Sequence, residues 1–265
     1  MLVDTHAHIH FAEFRDELEA VLDRAHAAGV DKIICVGVDE DDSAQAIAVA
    51  RAHEHVWATV GLHPHEADRG YEALEEVARL AEVDPKVVGI GECGLDYYRE
   101  GYDADAQERA LRFQIELALE RDLALVFHVR EAFNDFFRIL DDYTTAGGGD
   151  GALANGGQLR GLVHCFTAGE AELQAAVTRG LYVALNGIMT FTKDQSQLAA
   201  ARALPLGRLV LETDCPFLAP APKRGHRNEP ANVTLTAQFL ADLRGEALED
   251  LIAASTRNAE TLFRV

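Results

Sequence analysis

Short apolar runs alternate with longer amphipathic stretches along almost the whole of this 265-residue chain. Such alternation is typical of βαβ units, in which a helix connects two parallel strands. The strand-like runs lie near Leu2–Asp4, Lys32–Val36, Val56–Leu62, Val87–Gly91, Ala124–Val129, Gly161–His164, Leu181–Leu185 and Arg208–Thr213. These eight units predict a closed (β/α)8 TIM-like barrel of the α/β class. We expect residues 1–265 to form a single domain that ends in two helices beyond Val233.

Histidines and carboxylates stand where several of these runs end, and active sites of such barrels lie at that end of the strands. The residues are His6, His8, Glu92, His128, His164 and Asp214. Side chains two apart leave the same face of a strand, so His6 and His8 point together. Glu92 is expected to share the inward face of Val88 and Ile90. All six side chains are therefore predicted to converge at the barrel mouth.

Imidazoles and carboxylates gathered in one place are ligands for divalent metal ions. A bridging carboxylate such as Glu92 can hold two cations roughly 3.5–4 Å apart, and water between them becomes a hydroxide nucleophile near neutral pH. Asp214 is expected to bind metal and to hold or accept the proton of that water. Taken singly, each histidine could be a satisfied core residue and Asp214 a helix cap. Buried together without partners they would be costly, so the set favours a site for two ions.

The same residues lie in motifs that resemble the metal-dependent amidohydrolase superfamily and, more narrowly, the TatD family of metal-dependent deoxyribonucleases. The motifs are VDTHAH at Val3–His8, GLHPH at Gly61–His65, GECGLDY at Gly91–Tyr97, HVREA at His128–Ala132, HCF at His164–Phe166, LETDCPFL at Leu211–Leu218 and RNEP at Arg227–Pro230. They follow the family's order through nearly the whole chain. The resemblance implies a phosphodiesterase dependent on Mg2+ or a similar ion, often a 3′→5′ exonuclease on DNA. It implies a metal-ligand set of His6, His8, Glu92, His128, His164 and Asp214.

Several further side chains are candidates for supporting roles. His63 and His65 end the third strand at ligand parity, and His63 can contact a phosphate or support a ligand, as the resemblance also implies. Pro64 between them fits a simple turn equally well, so His65 carries little weight. Arg130 is expected to meet a phosphate oxygen or to form a salt bridge at a helix start. Glu212 shares the parity of Asp214 and is expected to orient a ligand histidine, with a buried ion pair as the alternative.

The loop after the eighth strand is the densest basic patch in an acidic protein, and it contains Lys223, Arg224 and Arg227. The formal net charge of -20 disfavours nonspecific binding to nucleic acid or to anionic membranes. Cations beside a pair of metal ions would nevertheless suit a phosphodiester. The alternative is a solvated loop without a binding role. Contact with nucleic acid is therefore expected to be transient and confined to the mouth.

Cysteine spacing and hydropathy indicate where such a protein works. The four cysteines form no CxxC pair, and the chain has neither a charged-then-apolar leader nor an apolar run long enough to span a bilayer. These features predict reduced thiols, a cytoplasmic location and no membrane partner. Nothing in the sequence points to an obligate protein partner. The glycine-rich stretch from Thr144 to Gln158 is predicted to be a surface loop.

Three functional interpretations follow from the site. The first is a two-metal hydrolase that cleaves phosphodiester bonds, with single-stranded DNA as substrate. The second keeps the site but cleaves an amide, lactone or ester, including removal of a D-amino acid from tRNA, which the resemblance also permits. The third, a metal-binding scaffold without catalysis, leaves the full ligand set and Glu212 unexplained. Four imidazoles suit Zn2+ or Mn2+, whereas the resemblance implies Mg2+, so all three metals stay open.

Overall fold

The computed structural model describes residues 1–82, 84–144 and 158–265. Within these residues, eight parallel strands form one sheet in chain order from β1 to β8. The strands are β1 (Leu2–Ala7), β2 (Val30–Val36), β3 (Val56–Val60), β4 (Val87–Asp96), β5 (Ala124–Arg130), β6 (Gly161–Val163), β7 (Tyr182–Leu185) and β8 (Leu209–Leu211). Ala7 pairs with Cys215, just beyond β8, and this bridge closes the sheet. The predicted (β/α)8 barrel is confirmed.

Helices connect successive strands and surround the barrel. They are α1 (Leu18–Ala27), α2 (Glu40–Ala52), α3 (Gly70–Leu80), α4 (Ala104–Arg121), α5 (Phe133–Asp141), α6 (Glu170–Thr178), α7 (Gln195–Ala203), α8 (Val233–Arg244) and α9 (Leu248–Phe263). Aspartates begin three of them, because the Asp39, Asp103 and Asp194 carboxylates accept hydrogen bonds from backbone N–H groups in the first turns of α2, α4 and α7. The last two helices confirm the prediction for the tail beyond Val233.

The barrel interior is filled by apolar side chains. This inner cluster comprises Val3, Ile34, Val36, Val88, Ala124, Val126, Leu162, Ala184 and Val210, together with Ala259, Leu262 and Phe263 of α9. A larger cluster packs the outer faces of the strands against the helices. Since α9 covers the end where the strands begin, polar chemistry is left to the opposite end, where the strands finish.

Strand β4 departs from simple alternation. Val88 belongs to the inner cluster, but Ile90 belongs to the outer one. The pairing register with β3 shifts between Val87 and Gly89, which separates Val88 from Ile90, and the register with β5 shifts again between Ile90 and Cys93. The expectation that Glu92 shares a face with both apolar residues is therefore wrong for Ile90. Such shifts change the face of the sheet on which the following side chains lie, and they place the Glu92 side chain at the mouth.

Two further observations complete the fold. Within the described ranges, no helix combines the length and apolarity needed to cross a lipid bilayer. Most of the glycine-rich segment predicted as a surface loop, residues 145–157, lies outside the described residues.

Candidate metal centre

The Glu92 carboxylate lies at the centre of a histidine cluster at the barrel mouth. Its Oε2 is 3.3 Å from Nε2 of His6. Its Oε1 is 2.8 Å from Nδ1 of His128, 3.0 Å from Nε2 of His164 and 3.4 Å from Nε2 of His63. Burial alone would raise the pKa of Glu92, but the surrounding imidazoles, His164 and His63 foremost, lower it well below its usual range. Glu92 is therefore an ionised carboxylate shared by several histidines.

Asp214 faces the two histidines of β1. Its Oδ1 is 3.4 Å from Nε2 of His8 and 3.7 Å from Nε2 of His6. Backbone hydrogen bonds fix this arrangement, because Asp214 N donates to His6 O and His8 N donates to Cys215 O, each across 2.8 Å. Asp214 also adopts a left-handed φ of 56°, which is uncommon for a residue with a side chain and is often found at functional sites.

Hydrogen bonding of the His8 ring determines which nitrogen can bind a metal. Nδ1 of His8 lies 2.8 Å from the carbonyl oxygen of Val36, which only accepts, so Nδ1 carries the proton. The lone pair of Nε2 then points toward Nε2 of His6, 3.2 Å away, and toward the Asp214 carboxylate. Lone pairs and a carboxylate in such proximity fit a cation placed among them. The residues present therefore suit a metal ion.

His128 and His164 are oriented in the same manner from the other side. Nε2 of His128 lies 2.9 Å from Oδ2 of Asp96, which leaves Nδ1 directed at Glu92. Nδ1 of His164 lies 3.4 Å from Oε1 of Glu212, while Nε2 faces Glu92. In each ring a carboxylate stands behind the nitrogen that points away from the mouth. Such partners set the orientation and the tautomer of metal-binding histidines.

His63 has the opposite arrangement. Its Nδ1 accepts a hydrogen bond from the backbone N–H of His65 across 3.1 Å, so the proton of the neutral ring sits on Nε2. Burial lowers the pKa of His63 to about 4, so the ring is neutral near pH 7. Although His63 lies close enough to Glu92 and His128 to complete a metal-binding group, the nitrogen that it presents is a donor. This geometry suits contact with an anion.

Glu212 is fully buried beside the centre. Its Oε1 accepts hydrogen bonds from Cys165 N at 2.7 Å and from Asn186 Nδ2 at 3.0 Å. Among the described residues, Oε2 has no hydrogen-bond partner, and neither has Nδ1 of His6. Glu212 thus stands where the sequence places it, next to a histidine of the cluster. Asn186, which holds its carboxylate, was not among the predicted site residues.

Asp96 and His65 are members of the site that the sequence reasoning missed. Asp96 is 1% exposed, and its Oδ2 accepts from Nε2 of His65 at 3.0 Å as well as from His128. Burial alone would raise the pKa of Asp96, but the hydrogen bond from His128 and neighbouring charges lower it. A signal was available, because Asp96 follows Glu92 by four residues on the same strand.

The predicted substrate-binding cations lie at the rim and differ in how far other residues already bind them. The Arg130 guanidinium stacks 3.6 Å from the ring centre of Tyr98, and that of Arg224 lies 3.5 Å from the ring centre of Phe191. Both arginines are exposed, as is Lys223. Arg227 differs because it is committed to other residues: it donates to the Glu13 carbonyl, lies 2.8 Å from Glu17 and covers the ring of Phe14.

Comparison with known proteins identifies the family of the chain. Residues 3–264 match the family described as TatD related DNase. The chain is 36% identical over 266 residues to the uncharacterized metal-dependent hydrolase YabD of Bacillus subtilis, with 100% of both chains covered. It is 35% identical over 260 residues to the 3′-5′ ssDNA/RNA exonuclease TatD of Salmonella typhimurium, covering 96% of this chain and 95% of that protein. The crystal structure of YJJV, a TatD homologue from Escherichia coli K12, matches with a TM-score of 0.90 at 29% identity, covering 100% of this chain and 98% of that one. The chain therefore belongs to the TatD related DNase family and is a metal-dependent hydrolase.

Proposed function

We propose that this hydrolase cleaves phosphodiester bonds of single-stranded DNA from the 3′ end, using two divalent ions bound at the barrel mouth. The observation that carries the proposal is the position of Glu92, whose two oxygens face different groups of histidines. The similarity to a relative named as a 3′-5′ ssDNA/RNA exonuclease supports the choice of substrate and direction.

The donor atoms divide into two sets that share Glu92. His6, His8 and Asp214 form one set with Oε2 of Glu92. The second set consists of His128 and His164 with Oε1. Divalent ions bound at such a pair of sites lower the pKa of water and neutralise charge on a phosphate. We therefore assign both sets as metal ligands, and we assign Glu92 as the bridge between them.

Two side chains have the chemistry to act on the substrate directly. Burial alone would raise the pKa of Asp214, but the neighbouring imidazoles of His8, His6 and His164 lower it. Its Oδ1 is placed to accept the proton of the attacking water. His63 presents an N–H at Nε2, which is placed to donate to a non-bridging oxygen of the phosphate. Each role uses a protonation state fixed by neighbouring groups.

The depth of the centre favours a single strand. His6 is 0% exposed and Glu92 is 4% exposed, so the scissile phosphate must approach below the surface. A flexible strand can bend to bring one phosphate there, whereas a stiff duplex cannot. The exposed cations Arg130, Lys223 and Arg224 are placed to contact flanking phosphates. Arg227 is the weakest of the four candidates, because Glu17 already pairs with it.

A second candidate function is hydrolysis of an amide or ester, including D-aminoacyl-tRNA. Among these substrates, those that are not nucleic acids are favoured by the formal net charge of -20 and by the engagement of Arg227 with Glu13 and Glu17. Both observations reduce the positive potential that a nucleic-acid strand would meet. The same metal ligands and the same proton acceptor would serve this reaction.

Cleavage of labelled oligonucleotides tests the proposal. Metal-stripped protein receives Mg2+, Mn2+ or Zn2+ in turn, with single strands labelled at the 5′ or at the 3′ end. We expect metal-restored, stepwise shortening from the 3′ end in the wild type and in Glu100→Gln, a matched change at an exposed position. Glu92→Gln should lack it. Two bound ions without cleavage of any strand would refute the nuclease and favour the second candidate.

We also propose a cytoplasmic location. All four cysteines are free thiols, and Cys35, Cys93 and Cys215 are buried. Such thiols are typical of a reducing compartment. Fractionation of cells that express a tagged chain tests this, and recovery of the protein outside the cytoplasm would overturn it.

A further inference from the structure

Phe217 is a large apolar side chain exposed beside the candidate metal centre. Half of it, 51%, is accessible to solvent. It follows Asp214 by three residues, and its backbone N–H donates to Asp214 O across 2.9 Å. This turn holds the ring next to a proposed metal ligand. Single exposed apolar side chains are normal on protein surfaces, so the significance of Phe217 lies in its position beside the centre.

Phe217 forms an aromatic corner with Phe11 and His8. The Phe11 ring stacks on His8, with centroids 4.8 Å apart and planes within 16°. The Phe217 ring stands 6.3 Å from each of these rings, at 65° to His8 and 76° to Phe11. The corner thus has two aromatic surfaces at a steep angle. A flat ring placed against one surface would meet the other along its edge, which is a favoured contact for aromatic groups.

We propose that Phe217 is the stacking surface for a nucleobase next to the scissile phosphate. The inference rests on the proposed nuclease function and adds a base-binding site to it. Bases stack on exposed aromatic rings in proteins that bind single strands, and every base offers a flat face. A phosphate at the metal ligands and a base on Phe217 would fix one nucleotide at two points. The site would therefore recognise that a base is present, with little preference for its identity.

Two other exposed aromatic rings, those of Tyr98 and Tyr71, are less suited to bind a base next to the scissile phosphate. Tyr98 is 58% exposed, but the Arg130 guanidinium already stacks on its ring. Tyr71 is 63% exposed and packs edge-on against Phe113 of α4, on the outer helices. Phe217 instead contacts a histidine of the centre itself. It therefore combines exposure with proximity to the reacting phosphate.

The test pairs Phe217 variants with substrates that lack one base. Three single-stranded oligonucleotides are compared: one complete, one with a tetrahydrofuran abasic residue at the 3′ terminus, and one with that residue at the penultimate position. The value of kcat/KM for release of the terminal nucleotide is measured for the wild type, Phe217→Leu, Phe217→Trp and the control Tyr71→Leu. Metal content is measured in parallel.

We expect Phe217→Leu to lower kcat/KM on the complete strand by about 5- to 150-fold, since stacking contributes about 1–3 kcal/mol per base. On one of the two abasic strands, the kcat/KM of Phe217→Leu should be nearly equal to that of the wild type. Phe217→Trp should retain activity on the complete strand, and Tyr71→Leu and all metal contents should match the wild type. An equal loss on all three strands, or no loss on any, would overturn the stacking site while leaving the nuclease intact. Failure of the wild type to cleave any strand would instead remove the proposed function and this inference together.

Discussion

Asp96 accepts a hydrogen bond from Nε2 of His128 across 2.9 Å, while Nδ1 of the same ring faces Glu92. The contact determines which nitrogen of His128 carries the proton. Because Asp96 is buried and also accepts from His65 and Tyr98 N, its carboxylate has little freedom to rotate. Asp96 is therefore a positioning residue for a proposed metal ligand.

Asp96→Asn should weaken metal binding by about 10- to 100-fold, because it removes the charge behind His128 and turns one accepting oxygen into an NH2 group that faces another donor. The measurement is Mn2+ affinity by equilibrium dialysis, together with the melting temperature of the metal-free protein. Asp135→Asn serves as a control, since Asp135 is a half-exposed partner of Tyr97 on the same side of the barrel. Unchanged Mn2+ affinity in Asp96→Asn would show that Asp96 supports the fold alone.

Glu92→Gln should reduce the number of ions bound and lower hydrolysis by more than about 100-fold, a larger effect than for a positioning residue. The variant keeps the shape of the side chain but removes the charge that the histidines share. Counting bound Mn2+ per chain by elemental analysis measures the first effect directly. If the variant still binds two ions, Glu92 is not the bridge between the two sets.

His63 should behave differently from the proposed ligands. His63→Phe removes the Nε2 donor, so we expect kcat to fall by about 100- to 1,000-fold, as for loss of a single donor to a developing negative charge. Metal content should stay at the wild-type value, because the nitrogen facing Glu92 carries a proton. A loss of metal in His63→Phe would contradict that tautomer and make His63 a ligand.

The rim cations should separate into two classes. Lys223→Gln with Arg224→Gln should lower kcat/KM on a single strand and reduce the slope of log kcat/KM against log salt by up to about 1.4, or roughly 0.7 for each phosphate that is no longer neutralised. Arg227→Gln should leave the salt slope unchanged, because Arg227 already pairs with Glu17 and is not available to a phosphate. Equal salt slopes in all variants would exclude phosphate binding by Lys223 and Arg224.

The convergence of the proposed metal ligands could be predicted because it depends on two regular properties, the alternation of side chains along strands and the common direction of parallel strands. His128 illustrates this, since it follows the inner residue Val126 by two positions. The same reasoning was wrong for Ile90, because the register shift between Val87 and Gly89 is not visible as a pattern in the sequence. Glu92 lies at the mouth as predicted, but it does so after a register shift and not by the simple alternation that was expected.

Contacts between distant segments could not be predicted in this way. Arg227 pairs with Glu17, which lies near the other end of the chain, and only the folded arrangement brings α1 to the loop beyond β8. The bond between His65 and Asp96 likewise depends on the path of the loop after β3. The periodic pattern of the sequence assigns a side chain to a face of a strand or helix. The residue that this side chain contacts depends on the conformation of the loops, which follow no periodic pattern.

Removal of metal should destabilise the protein, and this prediction tests the centre without reference to any substrate. Four imidazoles and two carboxylates are held together at the mouth, and a ligand that binds only the folded state stabilises it by about 2.7 kcal/mol at 100 times its Kd. For a chain of this size, that corresponds to a rise in Tm of roughly 5–10 °C. Calorimetry with Mn2+ added to chelator-treated protein measures the shift.

Asp214→Asn supplies the matched variant, because it removes a ligand charge at the centre and keeps the side-chain volume. Its Tm without metal should lie at or below the wild-type value, since the surrounding imidazoles lower the pKa of Asp214 and so stabilise its ionised form in the folded protein. Its gain in Tm on adding Mn2+ should be smaller than that of the wild type. Equal gains in both proteins would mean that Mn2+ stabilises the fold from another site, and Asp214 would then be excluded as a ligand.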